Sequence, residues 1–376
     1  MEYHVKFKHL AVAAGLLTGL QVPIAHAQSS VTLYGLISVG VAYSPNQSGH
    51  HTYQAITGQN QSPRWGLRGI EDLGSGLKAV FTLENGFNAL NGALSNNGRE
   101  FGRQAFFGLS SDAWGTLTAG RQYDAVVDYL GPNTAWSWLG SIGDSDNTFN
   151  NIRIQNSLKY ASPDFHGIKA TALYGFSNSS GGFADNRAFS LGLRYDHGSF
   201  NWNVAYAEYD SPYSNTNQTG AVDNDYSPTY LLFTHSALPS KAYASKQRIL
   251  GTGGFYVAGP LRLGAMFTNV DYSYLDQSHL NLKNFNVSVN YNIRPDLLIG
   301  TAYVFTRGKY DNPDQSPMWH ELNVTVDYIL SKRTDIAMLA FAQQAAGDAT
   351  HATVLGYGPS SSKRQLVVTL GIRHKF

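Results

Sequence analysis

Apolar and polar residues alternate along this chain in segments of about ten residues. Phe285, Val287, Val289, Tyr291 and Ile293 take every second position, and Asn284, Asn286, Ser288, Asn290 and Asn292 fill the gaps. Leu322, Val324, Val326 and Tyr328 alternate in the same way with Glu321, Asn323, Thr325 and Asp327. Near the end, Leu366, Val368, Leu370 and Ile372 alternate with Gln365, Thr369 and Arg373. A strand sends successive side chains to opposite faces, so each segment reads as a strand with one apolar face. The opposite face is polar along the whole strand, whereas the inner face of a sandwich strand is packed and apolar.

The connections carry more information than the strands. Clusters of Gly, Pro, Asp and Ser suited to tight hairpins occur at 72–76, 111–115, 162–167, 196–198, 258–260, 293–296 and 331–335. Between them fall longer polar segments, 44–62, 89–99, 123–152, 178–186, 210–246, 273–281, 308–317 and 347–362. This strict long–short rhythm predicts an all-β fold, a 16-stranded antiparallel transmembrane β-barrel with short periplasmic turns and long extracellular loops. An even strand number lets the sheet close and lose its edges, as a bilayer requires. Sixteen strands also leave an aqueous lumen that side chains do not fill.

Composition narrows the picture. Lys6, Lys8 and His9 precede an apolar run from Leu10 to Leu20, and Ala25-His26-Ala27 has the small-x-small form of a cleavage site. Residues 1–27 therefore read as a secretory signal peptide and 28–376 as one barrel domain. Its removal takes away Glu2, Lys6 and Lys8, so the 27 basic and 26 acidic residues become 25 of each, with no net charge. That balance excludes a nucleic-acid partner, which needs a dominant basic patch. There is no cysteine, and the histidines show no HExxH spacing, so neither thiol chemistry nor a metal site is expected. No G-x-S-x-G motif is present. The lumen-side carboxylates Glu321 and Asp327 are roughly 20 Å apart on one strand, too far for a glycosidase pair. The expectation is a protein that is not an enzyme and carries no cofactor.

Several stretches then resemble the trimeric porins of Gram-negative bacteria, of the neisserial and Burkholderia type. SVTLYG (30–35) resembles the family's first strand, and SPRWGLRGIEDLGSGLKAVFTLENGF (62–87) its second and third. FGRQAFFGLS (101–110), GTLTAGRQYD (115–124) and RIQNSLKYASPDFHG (153–167) resemble the strands that follow. The likeness covers residues 29–205 in sequence and the rest by pattern, while the long loop 210–246 has no matching motif and reads as a surface cap. It implies a passive diffusion channel for ions and small hydrophilic solutes, assembled as a homotrimer in outer-membrane lipid and lipopolysaccharide. The final Phe376 has the aromatic character of a barrel-assembly signal. The thirty-residue loop 123–152 would fold into the pore as a constriction.

Carried over motif by motif, Arg64, Arg103 and Arg153 are the basic wall of that constriction, with Arg68 and Lys78 as lesser additions. Asp124, Asp128, Asp144 and Asp146 are the acidic candidates on the third loop. The bland alternatives are headgroup contact for the arginines and turn-forming hydrogen bonds for the aspartates. Trp136 and Trp138 read as wedges that hold the loop against the wall. If the arginines reach the narrowest section, a weak preference for anions follows. Rival readings are a channel specific for an anionic nutrient and an adhesin-like surface barrel.

Overall fold

A computed structural model describes residues 29–58, 61–134, 140–222, 225–226 and 231–376. The expected signal peptide and the two loop tryptophans, Trp136 and Trp138, lie outside the described residues. The strands in chain order are β1 (Ser30–Gln47), β2 (His50–Thr57), β3 (Arg64–Gly74), β4 (Leu77–Gly86), β5 (Gln104–Ser111) and β6 (Gly115–Gln122). They continue with β7 (Ile154–Ala161), β8 (Ile168–Gly175), β9 (Arg187–His197), β10 (Phe200–Asp210), β11 (Ala244–Ala258) and β12 (Leu261–Tyr274). The last five are β13 (His279–Arg294), β14 (Leu297–Tyr310), β15 (Pro317–Ile329), β16 (Thr334–Gly347) and β17 (Arg364–Lys375).

From β3 onward each strand pairs antiparallel with the next. The sheet closes where β1 meets β17, in a register running from Leu36 opposite Lys375 to Tyr43 opposite Val368. Gly35 and Phe376 extend the seam with two backbone hydrogen bonds of 3.0 Å each. On its other edge β1 pairs with β3 through residues 30–36 and with β2 from Val39 onward. β2 and β3 are thus two halves of one stave, and the closed barrel has the sixteen staves expected.

All seven short turns fall between strands where the sequence places them. The first long loop does not. Residues 44–57 continue the barrel as a hairpin, turning at Ser48 and Gly49, whose φ values of 54° and 92° suit a tight two-residue turn. Tyr43 and Tyr53 pack across it with ring centroids 4.8 Å apart. A hairpin with water on both faces has no apolar stripe, which is why its sequence reads as loop. The connection expected at 273–281 shrinks to 275–278 for the converse reason, since β12 and β13 extend past the apolar band with Tyr272, Tyr274, Leu280 and Leu282 buried inward and Asp271, Ser273, His279 and Asn281 on the outer face.

The alternation places the two faces as expected. Val287 is 53% exposed on the outside, whereas its neighbour Asn286 is 2% exposed on the inside. Strands differ in length around the barrel: β5 to β8 have 8 residues each, β13 has 16.

The described apolar core lies inside the barrel, where loops meet the wall. The third loop carries two short helices, α1 (Ala125–Tyr129) and α2 (Gly131–Thr134). Ala125, Val126 and Leu130 bury against Ala188, Ala205, Ala207, Ile249 and Val270. Two wall glycines make room: a Cβ on Gly192 would lie 2.5 Å from the Tyr129 ring, and one on Gly251 would lie 2.4 Å from a Leu130 methyl. The fifth loop, 211–243, also folds inward, burying Ala221, Val222, Tyr226, Leu231 and Phe233 in the same cluster. This corrects the expectation of a surface cap; the loop's apolar residues are too scattered to form a period, so their burial is invisible in sequence.

Val287 sits mid-strand on the lipid face. Val287→Arg is expected to destabilise the barrel by about 2–4 kcal/mol, read as a lowered urea midpoint for folding into vesicles, while Val287→Leu stays near neutral.

Candidate functional site

Strand geometry brings Arg64 and Arg103 together on one stretch of wall. Arg64 opens β3 opposite Gly86, and Arg103 lies just before β5, whose first residue faces Glu84. Gly86 leaves the space, since a Cβ there would sit 3.1 Å from the Arg103 Cδ. Arg103 is buried; its Nε donates to Glu84 Oε1 at 2.7 Å and its Nη2 to the Tyr123 hydroxyl at 2.8 Å. Tyr34 donates to the other Glu84 oxygen at 3.0 Å. Glu84 is therefore the counter-ion of Arg103.

Arg153 approaches from the far end of the third loop. Its guanidinium carbon is 5.9 Å from the centre of the Tyr123 ring, a cation–π contact. Nη1 donates to the Asn151 carbonyl at 3.1 Å and Nη2 to Asn150 Oδ1 at 2.7 Å. Burial pulls the guanidinium down from 12.5 to about 10, with Tyr123 and Asp225 acting to raise it and Arg103 and Arg121 to lower it. It stays cationic at neutral pH. Tyr123 thus joins two of the three predicted arginines, and among the described residues neither Arg64 nor Arg153 has a carboxylate within ion-pair distance.

The cluster is larger than the sequence reading allowed. Arg121 Nε donates to the Gly102 carbonyl at 2.8 Å and its Nη2 pairs with Asp225. Arg99 reaches the other Asp225 oxygen at 3.3 Å. Glu84 was legible, because it shares inward parity with Thr82 in VFTLENG. Arg121 sits in the GRQYD motif but on the outward parity of Leu117 and Ala119; a bulge between Gly120 and Gln122 breaks that rule. Asp225 has no local signal in the sequence.

The loop aspartates divide. Asp124 caps α1 by accepting from Val127 N at 2.9 Å, and also accepts from Asn147 at 2.9 Å and from the Tyr209 hydroxyl. Asp144 accepts from Phe149 N at 2.9 Å and from the Asn151 amide at 2.8 Å. Asp146 ties Ser141, Thr148 and, at 2.8 Å, Thr268 of the wall. All three carboxylates are fully buried and hold the loop in shape. Asp128 differs: it pairs with Lys159 and keeps a side chain 28% exposed. Below the cluster, Arg68 is exposed with its guanidinium 5.0 Å from the Tyr34 ring, and Lys78 is 3.5 Å from Asp112.

A closed antiparallel barrel, apolar outside and polar inside, with loops drawn into its lumen over a basic wall, is a transmembrane β-barrel of the outer-membrane type. The chain belongs to the Gram-negative porin family, whose model matches residues 11–349. It is 38% identical over 244 residues to an outer membrane porin protein of Bordetella pertussis, covering 57% of this chain and 63% of that one. It is 34% identical over 200 residues to outer membrane porin protein 32 of Delftia acidovorans, covering 49% and 55%. The chain thus spans less than two thirds of the length of these two relatives. Against the major outer membrane protein P.IB of Neisseria meningitidis it is 24% identical over 383 residues, covering 96% and 98%. In fold it matches the anion-selective porin from Comamonas acidovorans, with a TM-score of 0.74 at 21% identity over 93% of this chain and all of that one. The barrel is an outer-membrane barrel.

Burial, reinforced by the nearby Asp146, pushes the Asp144 carboxyl up to about 8. The folded loop then holds a proton that the unfolded segment releases near 3.8, so its anchoring is strongest below pH 4 and declines as pH rises towards 8. Amide exchange across 141–152, corrected for intrinsic rates, is expected to show protection falling from pH 5 to pH 8. Asp144→Asn flattens that slope.

Proposed function

We propose that this chain is a general diffusion porin, a passive water-filled channel for ions and small hydrophilic solutes with a weak preference for anions. The observation that carries the preference is the charge imbalance at Arg64 and Arg153, neither of which has an ion-pair partner among the described residues. In a partly dehydrated passage such fixed charge acts over several ångströms and favours ions of opposite sign. From Arg64 the basic side chains descend β3 and β4 through Arg68 to Lys78, a path from the cluster towards the short-turn end.

On this reading Arg64, Arg103 and Arg153 form the basic side of the constriction. Asp128 is the loop acid that faces water, while Asp124, Asp144 and Asp146 serve by holding the loop. The chain carries out no reaction, residues 1–27 direct export, Phe376 presents the barrel to the barrel-assembly machinery, and the mature barrel works as a homotrimer. The outer wall supports contact with anionic headgroups such as those of lipopolysaccharide. Lys283 and Arg307 lie directly opposite each other on β13 and β14, both exposed, one pair above the stacked rings of Phe285 and Phe305. Two cations in that register repel unless an anion lies between them.

Single-channel recording in a planar bilayer under a KCl gradient tests the reading. Expected are triplet conductance steps and an anion-leaning reversal potential at 0.1 M salt that fades towards 1 M, as the screening length falls from about 10 Å to about 3 Å. Arg64→Gln with Arg153→Gln is expected to abolish the anion preference. Block by one solute at low concentration would instead favour a channel specific for an anionic nutrient, and absent conductance from folded protein rules out the diffusion pore.

A further inference from the structure

The fifth loop carries an acid into the middle of the arginine cluster, and the way it is held separates its charge from its anchoring. The approach to Asp225 is fixed by backbone contacts. Gln155 N donates to the Ala221 carbonyl at 3.0 Å, Ala221 N to the Asn186 carbonyl at 2.7 Å, and Val222 N to Asn186 Oδ1 at 2.8 Å. Gly220 permits this, since a Cβ there would lie 2.4 Å from the Asn186 carbonyl oxygen. Gly175 of β8 does the same from the wall, its Cβ position being 2.7 Å from the Ala221 methyl. On the other side Tyr226 is fully buried in the cluster that includes Tyr272 and Tyr274 of β12. Asp225 is therefore gripped on both sides by apolar packing and backbone hydrogen bonds that do not involve its carboxylate.

The carboxylate itself, with a side chain 2% exposed, bridges Arg121 of β6 and Arg99 of the second loop. Glu84 offsets Arg103 in the same wall. The described cluster thus sets two acids against Arg64, Arg99, Arg103, Arg121 and Arg153, and one of those acids arrives on a loop rather than on the barrel.

We propose that Asp225 is a specificity-determining residue, an internal counter-ion that the fifth loop supplies to limit how much positive charge the arginine cluster presents to passing ions. The proposal rests on the diffusion-pore reading above. Buried charges in a low-dielectric wall are weakly screened, so removing this one changes the potential felt at Arg153 and in the adjoining water. Because the loop is anchored without the carboxylate, the change is electrostatic and leaves the passage the same width.

The test compares reversal potentials of wild type, Asp225→Asn and Asp225→Glu in a KCl gradient, on protein whose folded state is checked by heat-modifiable mobility. Asp225→Asn is expected to raise the chloride-to-potassium permeability ratio by about twofold at 0.1 M, with the rise shrinking at 1 M. Asp225→Glu keeps the charge and should stay near wild type. Arg121→Gln gives an independent reading even if Asp225→Asn folds poorly: with that cation gone the ratio should fall. An unchanged ratio in folded Asp225→Asn overturns the proposal, as does an equal gain for both ions, which would mark Asp225 as a mere tether. A wild type that prefers cations would sink the anion-preference reading, yet the difference between wild type and Asp225→Asn would still decide this one.

Discussion

Inside hydrocarbon a peptide N–H has no water to bond, and each one left unpaired costs several kcal/mol. The seam between β1 and β17 answers that constraint for the whole molecule, because every other stave already has two neighbours by sequence order. Its register fixes which face of β1 looks inward, and a slip of one residue would turn Val31 and Leu33 into the lumen. Gly35 matters here for a steric reason: its hydrogen atom leaves the space that the Phe376 ring fills at the seam.

Once the barrel is closed, its interior is a packing problem of an unusual kind. Loops must bury apolar side chains against a wall that elsewhere meets water. The wall solves this locally with Ala188, Ala205, Ala207, Gly192 and Gly251, a small-residue patch that receives the third loop. Polar anchors then fix the loop's orientation, with Asp146 reaching Thr268 and Asn147 reaching Asp124. Apolar contact supplies the docking and buried carboxylates supply the direction.

How much of this was legible follows from range of interaction. The staves, short turns and faces are written in period-two alternation and in glycine-rich punctuation, both local, and they were read correctly. The hairpin at 44–57 was misread as loop because water on both faces erases alternation. Arg64, Arg103 and Arg153 were singled out by motif likeness, and the fold brings Arg64 beside Arg103 and Arg153 beside Tyr123. That Asp124, Asp144 and Asp146 bond to nearby backbone N–H groups was the turn-forming alternative, whereas their longer reach to Tyr209 and Thr268 was not visible, since those partners lie on distant strands. The small-residue patch was readable in principle from inward-parity alanines and glycines. Asp225 was not, because nothing within ten residues of it announces that the fifth loop turns inward.

The uneven height of the wall has a consequence of its own. Strands of eight residues such as β5 to β8, tilted as barrel strands are, rise roughly 19 Å, short of the apolar band of about 25 Å that such barrels present to lipid. The long strands β11 to β14 overshoot it. The molecule therefore has a front and a back in the plane of the bilayer, and hydrophobic mismatch is concentrated on one side. Lipid must thin against the low wall or be replaced there by another surface, so the energetic incentive for lateral association is directional before any specific contact is made.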